Sequence, residues 1–103
     1  MHPLIRQHRV EIAELCRQYR VRRLDVFGSA ARARDFDAQR SDVDFLVDFH
    51  PEPVRGYARN YFEFQEALER LLDRPVELVT AGSIQNPFFL AGVEKSREHI
   101  YGA

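Results

Sequence analysis

The apolar residues near the start of the chain repeat at helical spacing. Between residues 4 and 20 they lie seven, four and three positions apart, at Ile5, Ile12, Cys16 and Tyr19. This period places them on one face of an amphipathic helix that runs from Leu4 to about Arg20. The short, mostly apolar run Arg23–Phe27 that follows predicts a β-strand, which ends at Gly28.

The second half of the chain alternates between strand-like and helix-like patterns. The segment Asp42–Phe49 is the strongest strand candidate, because β-branched and aromatic residues dominate it and prolines at positions 51 and 53 end it. Apolar residues at helical spacing predict a helix over Tyr57–Leu72, and Val76–Thr80 has the composition of another short strand. The spacing of the remaining apolar residues predicts a last helix that runs to about Tyr101.

The order of these elements indicates one small sheet covered by helices. With a short helical turn expected between residues 30 and 40, the order is α-β-(short α)-β-α-β-α. Strands that alternate with helices predict an α/β or α+β fold, here a single domain over residues 1–103 with a small mixed sheet flanked by helices. A parallel arrangement of three short strands fits the pattern equally well at this stage.

The composition is that of an ordinary globular domain. Fifteen Lys and Arg residues stand against sixteen Asp and Glu residues, so the formal net charge is −1. A protein that binds nucleic acid mainly through phosphates carries a clear basic excess. Apolar runs stay well below the ~20 residues of a membrane span, and the start of the chain lacks a secretory signal pattern. We therefore expect a cytoplasmic protein with neither nucleic acid nor a membrane as its partner.

Two carboxylates and a Gly-Ser turn suggest a site for phosphate chemistry. Asp42 and Asp44 occupy alternate positions at the start of a predicted strand, so they project from one surface about 7 Å apart along the chain. Such oxygen ligands suit Mg²⁺, which usually takes one or two carboxylates together with phosphate oxygens of a substrate. Gly28 permits a sharp turn, and Ser29 can cap a following helix whose N-terminus favours a phosphate.

A third acid would complete a centre for two metal ions. Glu77 is the best candidate, because it lies in the middle of the short strand Val76–Thr80. There it could hold a second metal or accept the proton of an attacking hydroxyl. A metal site beside a phosphate site is the arrangement that phosphoryl or nucleotidyl transfer requires.

The combination of these motifs is more specific than any one of them. Gly28-Ser29, a polar spacer and then Ser41-Asp42-Val43-Asp44 resemble the signature of the nucleotidyltransferase superfamily that includes DNA polymerase β. The short chain and its leading helix are similar to the minimal nucleotidyltransferase (MNT) branch. The resemblance covers nearly the whole chain, from the strand before Gly28 to a closing segment between Asn86 and Tyr101.

The resemblance implies a nucleotidyltransferase fold and a role for each acid. Asp42 and Asp44 match the metal-binding pair of the family. Glu77 falls where the family usually carries its third acid, an aspartate. The implied cofactor is Mg²⁺, with two ions bound, and the implied substrate is ATP.

The resemblance also implies a nucleotide site and a protein partner. Gly28 and Ser29 match the residues that hold the phosphates of the nucleotide, and Arg32 lies where it could contact a triphosphate. Members of the MNT branch often act as antitoxins beside a HEPN-domain ribonuclease toxin. Some of them transfer AMP from ATP to a tyrosine of that toxin and thereby silence it.

Departures from the family pattern leave a second hypothesis open. Twelve residues separate Ser29 from Asp42, which is a small insertion, Ala33 replaces a frequent glycine, and Glu77 is one methylene longer than aspartate. Because catalysis is sensitive to shifts of ~1 Å, the chain could instead be a catalytically impaired binding module that neutralises its partner by occlusion. Nucleic-acid binding through the arginines between residues 17 and 34 is a third hypothesis, which the near-neutral charge opposes.

For the other polar and aromatic candidates, a structural position is the simpler prediction. Asp48 shares the strand parity of the Asp pair but lies at the far end of the strand, so we expect it at the surface. Cys16 is expected in the core, and the histidines, including His99 on the predicted last helix, are expected at the surface without acidic partners. Phe88 and Phe89 could form an exposed patch for a partner.

Overall fold

The computed structural model describes residues 2–28, 42–50, 56–80 and 86–102. Its helices are α1 (Pro3–Gln7), α2 (Arg9–Gln18), α3 (Tyr57–Leu72) and α4 (Pro87–Ser96). Its strands are β1 (Val21–Phe27), β2 (Val43–Phe49), β3 (Val76–Thr80) and β4 (Glu98–Gly102). The short helical turn predicted between residues 30 and 40 lies outside the described residues. Within the described ranges, none of the helices has the length and apolar character needed to cross a membrane.

The strands form one mixed sheet in the order β3-β2-β1-β4. Strand β1 pairs antiparallel with both β2 and β4, whereas β2 and β3 run parallel. This arrangement confirms the predicted fold class and decides between the mixed and the parallel sheet. The register places Asp44 of β2 opposite Phe27 of β1 and beside Glu77 of β3. Because directly paired residues point to the same side, these three side chains share one face of the sheet.

The opposite face of the sheet carries the main hydrophobic core. Helices α1, α2 and α3 cover it, because their apolar side chains recur at helical spacing and meet alternate residues of the strands. The largest fully buried members of this core include Ile5, Ile12, Leu24, Phe45, Phe64 and Leu68. On the face of Asp44, the described residues form a smaller cluster in which Val93 of α4 packs against Phe27 and Leu46. Among the described residues, the acids therefore lie on the less covered of the two faces.

Helix α3 covers the outer edge of β3 with polar side chains spaced four residues apart. The carboxylate of Glu69 accepts a hydrogen bond from the N–H of Val76 at 3.1 Å, and Gln65 donates to the carbonyl of Val76 at 2.8 Å. The hydroxyl of Tyr61 donates to the carbonyl of Leu78. An uncovered strand edge tends to pair with other chains, so these bonds protect the edge. They also fix the position of the strand that carries the third acid.

The first predicted helix is wrong as a single element. The structure divides it at His8, which leaves helical geometry (φ −103°, ψ 13°) between α1 and α2. A ring nitrogen of His8 is hydrogen-bonded to the carbonyl of Leu4 at 2.8 Å, and this contact favours a tight turn at that point. Both halves still bury one apolar face, since Ile5 and Ile12 are fully buried.

The last predicted helix is wrong over its final turn. Helix α4 ends at Ser96, Arg97 adopts an extended backbone (φ −65°, ψ 130°), and the residues that follow form β4 beside β1. The spacing was misleading because Ile100 lies seven residues after Val93, which fits a continued helix. Both residues are buried, but in separate elements. The sheet accordingly has four described strands where the sequence predicted three.

Candidate active site

Asp44 and Glu77 lie side by side on neighbouring parallel strands. They are register partners in the β2–β3 pair, and their carboxyl groups share a hydrogen bond. Asp44 is half-buried, whereas Glu77 is exposed. An ionised carboxylate can only accept hydrogen bonds, so this contact exists only while one of the two groups keeps its proton.

The electrostatics of Asp44 show that Asp42 belongs to the same cluster. The pKa of Asp44 is raised to about 6, first by burial and then by the hydrogen bond to Glu77 and the charges of Glu77 and Asp42. Asp42 is exposed at the residue before β2. The structure thus brings together the three acids that the sequence singled out, from two separate segments of the chain.

Gly28 adjoins this cluster at the end of β1. Its backbone has a φ of +71°, a conformation that residues with a Cβ rarely adopt. A Cβ at this position would lie 2.7 Å from Oδ2 of Asp44, so only glycine fits against the carboxylate. Ser29 and Arg32, the other two residues predicted to bind the nucleotide, lie outside the described residues.

The acid pair has the chemistry of a partial site for a divalent cation. The neighbouring carboxyl groups of Asp44 and Glu77 and the raised pKa of Asp44 indicate that negative charge is concentrated at one point on the surface. Within the four described ranges, His, Cys, Asp and Glu side chains form no group of three or more arranged to hold a metal by themselves. This agrees with Mg²⁺, which takes one or two carboxylates and completes its octahedron with substrate phosphates and water.

Comparison with known proteins identifies the family. Residues 10–100, which span most of the chain, match the nucleotidyltransferase domain. The chain belongs to the nucleotidyltransferase family. The protein is therefore an enzyme of the nucleotidyltransferase class, and the acid cluster beside Gly28 is its candidate active site.

This nucleotidyltransferase resembles other small proteins along almost its whole length. The protein MJ0128 of Methanocaldococcus jannaschii, named for an expected protein adenylyltransferase activity, is 34% identical over 97 residues, which cover 94% of this chain and 91% of the relative. The solved structure of a protein described as a minimal nucleotidyltransferase is 27% identical, with a TM-score of 0.74 and 95% of each chain covered.

A toxin–antitoxin complex contains the same fold. The structure of a tri-AMPylated Shewanella oneidensis HEPN toxin with its MNT antitoxin includes a chain that is 21% identical to this nucleotidyltransferase, with a TM-score of 0.64. The match covers 95% of this chain and 72% of that one. At this identity the likeness concerns the fold alone.

Sequence reasoning missed a buried charged cluster in the nucleotidyltransferase that lies on the same face as the acids. Asp25 of β1 is only 1% exposed, and its carboxylate pairs with Arg97 at 2.5 Å and with Arg23 at 3.2 Å. Nδ1 of His99 lies 3.2 Å from the same carboxylate, so the expectation that His99 sits on a helix without an acidic partner was wrong. The available signal was an aspartate between the buried residues Leu24 and Val26.

The predicted positions of Asp48 and Cys16 agree with the structure. Asp48 pairs with Arg22 at the surface, away from the three acids. Cys16 is fully buried, and burial raises the pKa of its thiol to about 12. Phe88 is 88% exposed on α4, whereas the ring of Phe89 contacts that of Phe27 edge-to-face.

Proposed function

We propose that this nucleotidyltransferase transfers AMP from ATP to a hydroxyl group, a tyrosine, on a HEPN-domain toxin and thereby acts as its antitoxin, with Mg²⁺ as cofactor. The observation that carries the proposal is the cluster of Asp42, Asp44 and Glu77 beside Gly28, a position at which a Cβ would collide with Asp44. Carboxylates from two strands next to a tight turn suit a triphosphate and its cation.

The residues of the site divide between two tasks. Asp42, Asp44 and Glu77 would supply carboxylate oxygens for Mg²⁺, with phosphate oxygens and water as its remaining ligands, and the bound ion would neutralise the charge of the phosphates. Gly28 begins the segment that seats the triphosphate, and the sequence signature assigns Ser29 and Arg32 to the same task. The acids and the nucleotide segment come from adjacent strands, so the metal and the donor phosphates would be held together, and such positioning accounts for much of the catalysis in phosphoryl transfer.

The transfer exchanges a phosphoanhydride bond of ATP for a phosphoester bond to the acceptor. The acceptor oxygen forms a bond to the α-phosphorus of ATP, the bond from that phosphorus to the bridging oxygen breaks, and pyrophosphate leaves. The hydroxyl proton passes to a carboxylate of the cluster. Glu77 suits this task because its side chain is exposed and lies beside Asp44.

Two comparisons support the choice of acceptor. A relative of almost equal length is named for protein adenylyltransferase activity, and a structure with the same fold pairs an MNT antitoxin with an AMPylated HEPN toxin. A chain of 103 residues carries the acid cluster on an open face of its sheet. We infer that the partner protein supplies the opposite wall of the cleft.

The test measures the transfer of labelled AMP from ATP, in the presence of Mg²⁺, to a HEPN-domain protein encoded beside this chain. Asp44→Asn is expected to lower the rate by about a hundredfold or more, because several kcal/mol of charge stabilisation are lost. Asp48→Asn is the matched control, since Asp48 lies on the same strand and face but pairs with Arg22. Full activity of Asp44→Asn would overturn the assignment of the site.

A second candidate is a binding module that neutralises the toxin by occlusion. The apolar surface of α4 favours it, because Phe88 is 88% exposed and Leu90 is 42% exposed. A double variant Asp42→Ala/Asp44→Ala that still neutralises the toxin in cells would select this function. Loss of neutralisation by a folded double variant would select the transferase.

A further inference from the structure

The last residue of α4 is bonded to the glycine of the candidate active site. The backbone N–H of Gly28 donates to Oγ of Ser96 at 3.0 Å, across 68 positions of sequence. The hydroxyl of Ser96 in turn donates to the carbonyl of Gly92 at 3.1 Å. The direction of both bonds is fixed, because an amide can only donate and a carbonyl can only accept. One serine therefore uses both its lone pair and its proton.

Ser96 is itself held firmly at the end of its helix. Val93, one turn earlier, is 2% exposed and packs beneath the helix. Arg97, the next residue, donates to the buried carboxylate of Asp25 at 2.5 Å and to Glu94 at 2.6 Å. The backbone N–H of Arg97 also closes the helix on the carbonyl of Val93 at 2.8 Å. The end of α4 is thus fixed against the sheet, and with it the position of the Ser96 hydroxyl.

The position of Gly28 matters because its backbone lies against the carboxylate of Asp44. The α-carbon of Gly28 lies so close to Asp44 that no side chain fits between them. A displacement of Gly28 therefore changes the space available around that carboxylate. Gly28 also begins the segment that follows β1. A hydrogen bond that fixes its amide therefore fixes the backbone that lies against Asp44.

We propose that Ser96 is a positioning residue that holds Gly28 against Asp44 and so shapes the place where the donor nucleotide binds. This inference rests on the proposed nucleotidyl transfer. Ser96 acts through Gly28, without touching the acids, and the buried pair Asp25–Arg97 keeps the end of α4 in the place from which Ser96 reaches. Removal of its hydroxyl is expected to weaken the use of the nucleotide and to leave the use of the acceptor protein unchanged.

The experiment compares Ser96→Ala with Ser96→Thr, which restores a hydroxyl, and with Asn60→Ala. Asn60 is the matched control, because its amide donates to the carbonyl of Tyr19 at 2.8 Å and links two elements on the other side of the sheet. Two measurements are made on each folded variant: hydrogen exchange of the Gly28 amide by NMR, and KM for ATP against KM for the acceptor.

Faster exchange at Gly28 in Ser96→Ala, a rise in KM for ATP of about fivefold and an unchanged KM for the acceptor would support the proposal, since a neutral hydrogen bond is worth roughly that much. Ser96→Thr should reverse both effects, and Asn60→Ala should show neither. An unchanged Gly28 amide in Ser96→Ala would overturn the proposal, as would an equal rise of both KM values. If the native protein transfers no nucleotide, the proposed function fails, and the exchange of the Gly28 amide still decides the role of Ser96.

Discussion

Asp44 and Glu77 are register partners in the parallel pair β2–β3, and burial together with the nearby charge of Glu77 raises the pKa of Asp44. Repulsion between the two carboxylates favours the protonated form of Asp44. A divalent cation bound to the same oxygens would relieve the repulsion more effectively and would release the proton. The binding of Mg²⁺ and the ionisation of Asp44 are therefore linked.

The stability of the protein should depend on pH through Asp44. Its pKa is raised to about 6 in the fold, so the folded chain holds a proton that the unfolded chain releases at lower pH. The stabilisation from this group is complete below its unfolded pKa of about 4 and is lost as the pH rises through its folded pKa. Mg²⁺ should therefore raise the melting temperature more at a pH of about 7.5 than at about 5.

Thermal melts with and without Mg²⁺ at both pH values measure this linkage. In Asp44→Asn the added stabilisation by Mg²⁺ at the higher pH should disappear. In Asp48→Asn it should persist, because Asp48 pairs with Arg22 outside the cluster. Equal stabilisation by Mg²⁺ at both pH values would contradict the assigned role of Asp44.

Gly28→Ala should abolish most of the activity. The added methyl group would meet Oδ2 of Asp44, and the positive φ is strained for alanine. Displacing a reacting group by ~1 Å costs about a hundredfold in rate, and this is the expected loss. Steady-state transfer assays on the purified variant measure it.

Gly92→Ala provides the control for the glycine substitution. Gly92 lies in α4 with open space where a Cβ would stand. Alanine there should raise the free energy of unfolding by about 1 kcal/mol, because glycine weakens a helix interior. Its transfer rate should equal that of the native protein. A comparable rate loss in both variants would show that the close contact with Asp44 is not the cause.

Glu77→Asp should keep the transfer activity, whereas Glu77→Gln should lose it by about a hundredfold, as expected when a proton acceptor is removed. The aspartate preserves the charge and the position on β3, and the sequence family usually has an aspartate there. The amide of glutamine neither carries charge nor accepts a proton. Transfer rates of the two variants at saturating Mg²⁺ separate the effect of the side chain's charge from the effect of its length. Equal rates for both would remove Glu77 from the chemistry.

Asp25→Asn should lower the free energy of unfolding. The buried carboxylate pairs with Arg97 and Arg23, so its loss removes a charge partner from both guanidinium groups, although Arg97 keeps its pair with Glu94. Breaking a buried pair costs about 3–5 kcal/mol, whereas the exposed pair of Asp48 is worth about 0–1 kcal/mol. Urea unfolding of Asp25→Asn and Asp48→Asn measures the contrast, and similar midpoints would contradict it.

Local patterns in the sequence predicted those elements whose two faces meet different surroundings. The residues of α3 and β3 follow a clear periodicity, and the structure gives these elements the predicted ends at Leu72 and Thr80. The final segment failed, because Val93 and Ile100 satisfy helical spacing while they lie in different elements. Only the presence of β1 as a pairing partner makes the residues after Ser96 a strand.

The sequence by itself determined the family signature, the mixture of helices and strands, and the three acids, because these depend on residue types and short-range spacing. The tertiary structure decided which acids are neighbours: Glu77 faces Asp44 through the register of β2 and β3. It also decided that Ser96 reaches Gly28 and that Arg97 reaches Asp25. Such contacts join residues far apart in the chain, and their geometry follows from how the whole sheet pairs and buries its faces, which short-range spacing does not encode.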